Sequence, residues 1–269
     1  GIVGLAQDIR RLPPGFVVAW GARAVLATAL TRRRWLAVHH DLLPNPAVGV
    51  AVRTATKRAN GVLAASHAIA RDVGPHAAVL HPGVDLERFA PQALPDRPPP
   101  RALVLGALVG WKRPDLALEI ANLTPDVHFT IAGATLPGED ATLEASLKAN
   151  APPNVELTGP TDDVPTALAH AHLLLHCADA EPYGMVLVEA LAAGRPVVAP
   201  SAGGPREIVD DGAGRLYPPG DADAAARAIR EVLEDPGAPA NARRRAEAHF
   251  DVEASTRRLE SAIDAAQNR

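Results

Sequence analysis

The sequence is short of cysteine, aromatic residues and long apolar runs and has no excess of basic charge, and each shortage removes a class of function. Cys177 is the single cysteine among 269 residues. That excludes a disulfide framework within the chain and any multi-cysteine zinc or iron–sulfur site. Aromatic residues make up 3% of the chain, too few for stacking platforms under single-stranded nucleic acid. Lys and Arg number 27 against 31 Asp and Glu, so the formal charge is −4 and the basic excess of a nucleic-acid binder is absent. No apolar stretch approaches the roughly 20 residues that span a bilayer, and the N-terminus lacks a secretory pattern. The expectation is a soluble cytoplasmic protein. Neither an HExxH motif nor clustered Cys/His spacing is present, and Asp221-Ala222-Asp223 follows Pro218-Pro219-Gly220 and opens a helical stretch, so it reads as an N-cap. A phosphate loop and a Gly-x-Ser-x-Gly elbow are also missing, and neither a metal nor a cofactor is expected.

What is present is an alternation of short apolar runs and helical patterns, with 47% hydrophobic and 22% charged residues. Between 91 and 100 the chain reads Pro-Gln-Ala-Leu-Pro-Asp-Arg-Pro-Pro-Pro, a composition that breaks helices and central strands and favours an extended linker. This predicts an incomplete first domain over 1–90, a linker over 91–100, a second domain over 101–250 and a closing helix over 251–269. In the second domain, apolar runs at Ala102–Leu108, Val127–Gly133, Val155–Gly159, Leu173–Cys177, Pro196–Ala199 and Gly214–Tyr217 alternate with helical segments, among them Glu139–Asn150 and Gly184–Ala193. The first ninety residues repeat the pattern more briefly. Such alternation signals βαβ units and parallel sheets, an α/β protein of two doubly wound, Rossmann-like domains.

In open parallel sheets ligands bind beyond the carboxyl ends of the strands. The richest such turn runs Glu181-Pro182-Tyr183-Gly184-Met185-Val186-Leu187-Val188-Glu189, then Gly194-Arg195-Pro196-Val197. A helix starting near Gly184 would present unpaired N–H groups and a positive dipole end to phosphate oxygens. Glu189 lies about one and a half turns in, on reach of the same ligand. Taken alone, an E-x7-E spacing is more often a capping residue and a solvated surface charge.

The whole segment, however, resembles the retaining nucleotide-sugar glycosyltransferases of family 4 (glycosyl transferases group 1). His81-Pro82-Gly83-Val84-Asp85 with Phe89, and Ser201-Ala202-Gly203-Gly204-Pro205-Arg206-Glu207 with Gly212, Gly214 and Pro218–Asp221, are similar to further stretches of that family. The resemblance implies a GT-B architecture, two facing domains with a cleft, and transfer of a sugar from a nucleoside diphosphate sugar to a hydroxyl of a glycan, lipid or small-molecule acceptor. It implies that Glu181 faces the donor sugar, Glu189 bonds the ribose, and the amides of Gly184, Met185 and Val186, beside Tyr183, hold the diphosphate. Gly106 opens the turn that carries Lys112, whose charge would meet the leaving diphosphate. Many relatives place an arginine directly after that glycine, where this chain has Ala107; Lys112 acts alone or Arg113 substitutes. In the first domain His40, followed by Asp41, matches a histidine-aspartate pair near the reaction centre, with His39 as a packed neighbour. Asp163 either accepts from a base edge or caps a helix, and Ser66, similar to a strand-end serine of the family, either contacts ligand or caps a helix.

Two alternatives come from other classes: a nucleotide-sugar-binding remnant without catalysis, and another GT-B-type enzyme such as a sugar-nucleotide epimerase. Relatives carry a glycine-rich loop near the front that nothing here matches, and the chain opens on Gly1. The expectation is a partial transferase whose first domain has an open sheet edge and exposed apolar surface, which favours association. Arg32-Arg33-Arg34 fits a charge cluster at a helix C-terminus and leaves a peripheral membrane contact open. The sequence sets no oligomeric state.

Overall fold

A computed structural model describes residues 1–96, 98–138, 142–210 and 212–268. Contacts divide the chain into two compact units: Gly1–Gly83 together with the segment from Val252 onward, and Val84–Asp251.

The first unit runs α1 (Ile2–Arg11), β1 (Val17–Trp20), α2 (Gly21–Ala29), β2 (Trp35–His39), α3 (Pro46–Thr56), β3 (Gly61–Ala64), α4 (His67–Val73) and β4 (Ala78–Val79). The strands form one parallel sheet in the order β1-β2-β3-β4. All five residues of β2 are buried, as expected of a parallel strand covered on both faces. α1, unforeseen in the sequence, packs Ala6 and Ile9 against Ala27 of α2. β1 is an edge strand with Val18 and Trp20 exposed.

The C-terminal helix Val252–Gln267 belongs to this first unit and is not a separate closing element. Its Leu259, Ala262, Ile263 and Ala266 pack on Leu36, Val38 and Leu63 of the sheet. Ser255 Oγ donates to the His81 carbonyl at 2.7 Å. Arg34 donates to the carbonyls of Ala266 and Gln267, a cation on the negative end of a helix. Arg33 likewise donates to the carbonyls of Leu12 and Pro13 beyond the end of α1. Two of the three consecutive arginines are therefore helix-end partners, and Arg32 remains exposed.

The second unit runs β5 (Arg101–Leu105), α5 (Pro114–Leu123), β6 (His128–Ala132), α6 (Thr142–Asn150), β7 (Val155–Gly159), α7 (Val164–Ala169), β8 (Leu173–Leu175), α8 (Met185–Ala192), β9 (Val197–Pro200), α9 (Pro205–Ile208), β10 (Gly214–Tyr217), α10 (Ala222–Glu234) and α11 (Ala238–His249). The first three positions expected of α6, residues 139–141, lie outside the described residues. All six strands are parallel, in the order β10-β9-β8-β5-β6-β7. One face of the sheet carries Phe129, Ile131, Leu173 and Leu175 against Leu116 and Ile120 of α5 and Ile229 of α10. Chain direction across the sheet reverses between β5 and β8, which opens a crevice at their carboxyl ends.

The proline-rich stretch is not a free linker: it belongs to the second unit, whose start at Val84 also takes in residues 84–90. Proline cannot donate, yet the carbonyls of this stretch accept. Arg195, 1% exposed, donates to Gln92 and Ala93 as well as to Leu168. His172 receives the Arg101 N–H on Nδ1 and donates from Nε2 to Pro95 O at 3.1 Å. Val84 N donates to Phe250 O at 2.7 Å, and Arg243 donates to the carbonyls of Leu86 and Phe89.

Candidate active site

The crevice between β5 and β8 is built from two turns, and three contacts stitch them together. Lys112, in a short turn of 3-10 helix after β5, pairs with Glu181 Oε2. The Trp111 carbonyl accepts from Asp179 N at 3.1 Å. Arg113 forks onto Asp115 and reaches Asp179 at 3.2 Å. Arg113 has φ 53°, a left-handed conformation that ends this turn and lets Pro114 start α5. With two carboxylates on its guanidinium, Arg113 is neutralised, and Lys112 is the cation against Glu181. The Lys112 ammonium also sits 4.3 Å from the ring centre of Trp111.

Glu181 is 6% exposed. Burial alone would push its carboxyl up; His176 and Lys112 outweigh that and hold it below the usual range. His176 immediately follows β8, is 5% exposed, and places Nε2 3.0 Å from Glu181 Oε2. Its ring N–H is not aligned on that oxygen and has no other partner among the described residues. Burial lowers the His176 pKa against the opposing pull of Glu181, so the cluster is a neutral imidazole, a carboxylate and an ammonium. Sequence reasoning missed His176. The signal was there, a polar residue inside the apolar run Leu173–Cys177, five positions before Glu181. The neighbouring Cys177 is fully buried, with its thiol pushed up to about 12 by burial, and is chemically inert.

The backbone between Glu181 and Tyr183 lies directly on Gly203 and Gly204. A Cβ at Gly203 would come 2.1 Å from the Glu181 carbonyl, and one at Gly204 2.0 Å from that of Tyr183. Gly204 N donates to Glu181 O at 2.9 Å. Gly184, at φ 104°, ends this turn and begins α8 without a side-chain cap, so the amides of Met185 and Val186 open the helix. Tyr183 is buried, 4% exposed, and burial raises the pKa of its hydroxyl. Glu189, one and a half turns into α8, is half-buried, and its carboxylate has no hydrogen-bond partner among the described residues. Burial raises its pKa, with Arg88 opposing.

Gly106 ends β5, and its N–H bonds Ala132 O at 3.1 Å. Asp163 is the N-cap of α7, accepting from Thr166 N at 3.2 Å, a bond that lowers its pKa. It sits on the rim of a groove of about 360 Å³ lined by Thr130, Thr158, Thr161 and His170, which shares no residue with the Lys112–Glu181–Glu189 set. Ser66 caps α4 and Asp221 caps α10. Among the described residues no three His, Cys, Asp or Glu side chains converge as a metal site, and no helix is long and apolar enough to cross a membrane.

In the first unit His40 is exposed, with Nε2 3.0 Å from Asp41 Oδ2. His39, the last residue of β2, is 1% exposed and its Nε2 has no partner among the described residues. It lines a cavity of about 220 Å³ with Trp20, Leu63, Leu80 and Leu259. Burial lowers its pKa to about 4, His40 adding to the effect and Asp72 opposing it.

Comparison with known proteins gives the family and the fold. Residues 86–249 match the family model "Glycosyl transferases group 1". The chain is 33% identical over 175 residues to a phosphatidyl-myo-inositol mannosyltransferase of Mycolicibacterium smegmatis, covering 61% of this chain and 44% of that protein. It is 35% identical over 182 residues to a D-inositol 3-phosphate glycosyltransferase of Mycolicibacterium gilvum, covering 58% and 38%. The matched regions thus span about four-tenths of these relatives' length. In fold it is similar to Anabaena Alr3699/HepE, solved with UDP and glucose, with a TM-score of 0.84, 24% identity and coverage of 98% and 80%. It is also similar to sucrose-phosphate synthase from Thermosynechococcus elongatus, with a TM-score of 0.84, 19% identity and coverage of 98% and 76%. Both units are parallel α/β in the GT-B manner, and the chain belongs to the glycosyl transferases group 1 family.

Proposed function

We propose that the protein takes part in transferring a sugar from a nucleoside diphosphate sugar to an acceptor hydroxyl, with retention of anomeric configuration and without a metal. The observation that carries this reading is the placement of Lys112, Glu181 and the start of α8 around one crevice at the reversal between β5 and β8. Breaking the bond between sugar and phosphate leaves positive charge on the ring and negative charge on the diphosphate, an oxocarbenium-like state. The Lys112 ammonium and the open amides of Met185 and Val186 are fixed dipoles and charge for the departing diphosphate, needing little reorganisation as it leaves. The ionised Glu181 is suited to face the sugar, and the unpartnered Glu189 to accept from ribose hydroxyls. In the first unit, the exposed His40 with Asp41 behind it is suited to orient a sugar hydroxyl. Relatives named for phosphatidyl-myo-inositol and inositol 3-phosphate direct the search for an acceptor towards inositol-type polyols.

The test is calorimetric titration with UDP, GDP and ADP. Selective binding of one diphosphate is expected, weakened about tenfold or more in Glu189→Ala, since a bidentate charge-assisted contact to the ribose is lost. A folded sample that binds none of the three overturns the reading.

A further inference from the structure

His176 is a buried imidazole beside the carboxylate of Glu181, and the proposed chemistry leaves it without a task. It is 5% exposed, its Nε2 lies 3.0 Å from Oε2, and that nitrogen has no other partner. A buried donor left without an acceptor is costly, so the ring is set to rotate its N–H onto Oε2. Its own backbone is fixed: His176 N donates to Val198 O at 2.8 Å and Tyr217 Oη donates to His176 O at 2.8 Å. The ring therefore moves about its side-chain bonds on a rigid base. Lys112 pairs with the same oxygen, Oε2, so that Oε1 has no partner among the described residues.

We propose that His176 is a positioning residue for Glu181. As a neutral imidazole carrying its proton on Nε2, it anchors Oε2 from the strand side while Lys112 anchors it from the opposite turn. The carboxylate is then held by one oxygen and offers the other to a hydroxyl of the donor sugar. The second anchor matters because the Lys112 ammonium must also serve the diphosphate. When its donors are drawn to the phosphate oxygens, His176 keeps the carboxylate ionised and pointed. The inference rests on the nucleotide-sugar reading above for its consequence, but its geometry can be examined without any ligand.

Two measurements test it. In the first, nitrogen-15 spectra of the uniformly labelled protein locate the His176 signals by their loss in His176→Gln. A protonated Nε2 whose signal moves in Glu181→Gln is expected. A proton on Nδ1, or a signal indifferent to Glu181→Gln, overturns the proposal. In the second, the ratio of affinities for the nucleoside diphosphate sugar and the bare diphosphate is measured. His176→Leu is expected to lower that ratio about tenfold, the worth of one charge-assisted hydrogen bond. His176→Gln, whose side-chain amide can stand in for Nε2–H, is expected to restore most of it. Equal ratios for the Leu and Gln variants, both folded by circular dichroism, also overturn the proposal. If the wild-type chain binds no diphosphate, the functional reading falls, and the spectra still decide the role of His176.

Discussion

His39 and His176 occupy matching places in the two units, each at the carboxyl end of a parallel strand, each nearly inaccessible, and each with an Nε2 that lacks an aligned partner. Their surroundings differ. His39 faces a largely apolar cavity lined by leucines and a tryptophan, and burial disfavours its protonation, with His40 adding to the effect and Asp72 opposing it. His176 faces a carboxylate that is itself tied to a lysine. The same residue at the same kind of position is thus a stability liability in one unit and part of a charge cluster in the other. Strand position buries a histidine; the loop that follows decides what it does.

The largest effect expected is acid loss of the first unit. His39 has a folded-state pKa below its unfolded value, so the unfolded chain binds the extra proton and stability falls as pH drops from 6.5 towards 4. A drop of roughly 2.5 in pKa at about 1.4 kcal/mol each makes the loss about 3 kcal/mol at pH 4. Urea unfolding followed by the fluorescence of Trp20 and Trp35, in a Trp111→Phe background, should register it, and His39→Leu should remove most of the slope. If that variant keeps the same pH dependence, the contrast between the histidines fails.

The second unit should break differently. Lys112→Met leaves Glu181 buried with only an unaligned imidazole beside it, at a cost of about 2 kcal/mol near neutral pH. Glu181 has a depressed pKa, so its paired form contributes stability above the ordinary carboxyl value of 4.5 and loses it as the carboxylate protonates. The deficit of Lys112→Met should therefore shrink below that pH, opposite in trend to the His39 effect. A deficit that is constant from pH 7 to pH 3 would show that packing, not charge, is what Lys112 supplies.

The smallest effects sharpen the comparison by showing where the units are alike. Ser66 accepts from Ile69 N at 3.1 Å and Asp221 from Ala224 N at 2.8 Å, one helix cap in each unit. Ser66→Ala and Asp221→Ala should each cost about 1 kcal/mol in thermal unfolding. Similar losses would place the asymmetry at the histidines and not in a general difference of stability.

Much of this was readable from spacing. The apolar runs located every strand of both sheets, because parallel strands buried on two faces read as short unbroken apolar segments. Glu181, Gly184 and Glu189 stand where a strand–loop–helix pattern places them. Contacts distant in sequence were not readable. Nothing local announces that Arg195 reaches Gln92 and Ala93, so a proline-rich segment read as a linker is folded into the second unit. Nothing local assigns the C-terminal helix to a sheet more than 170 residues earlier in the chain. Its apolar face was legible, its partner was not. α1 was overlooked because Gly1 and Gly4 lower helix propensity, and Ala6 and Ile9 are held by packing on α2.

The return of the C-terminal helix to the first sheet has a consequence for how the chain may be cut. Val84–Asp251 is one continuous piece, an insert between the two parts of the first unit. A gene fragment bounded there would carry the crevice, the proline-rich stretch and every acceptor of the buried Arg195. A fragment begun at Arg101, where the sequence alone suggests starting, strips that buried guanidinium of the Gln92 and Ala93 carbonyls and leaves it only those of Leu168 and Ala169. The first unit has no such contiguous form. It needs both ends of the chain, and a stop codon placed after Asp251 would uncover its sheet while leaving the insert whole.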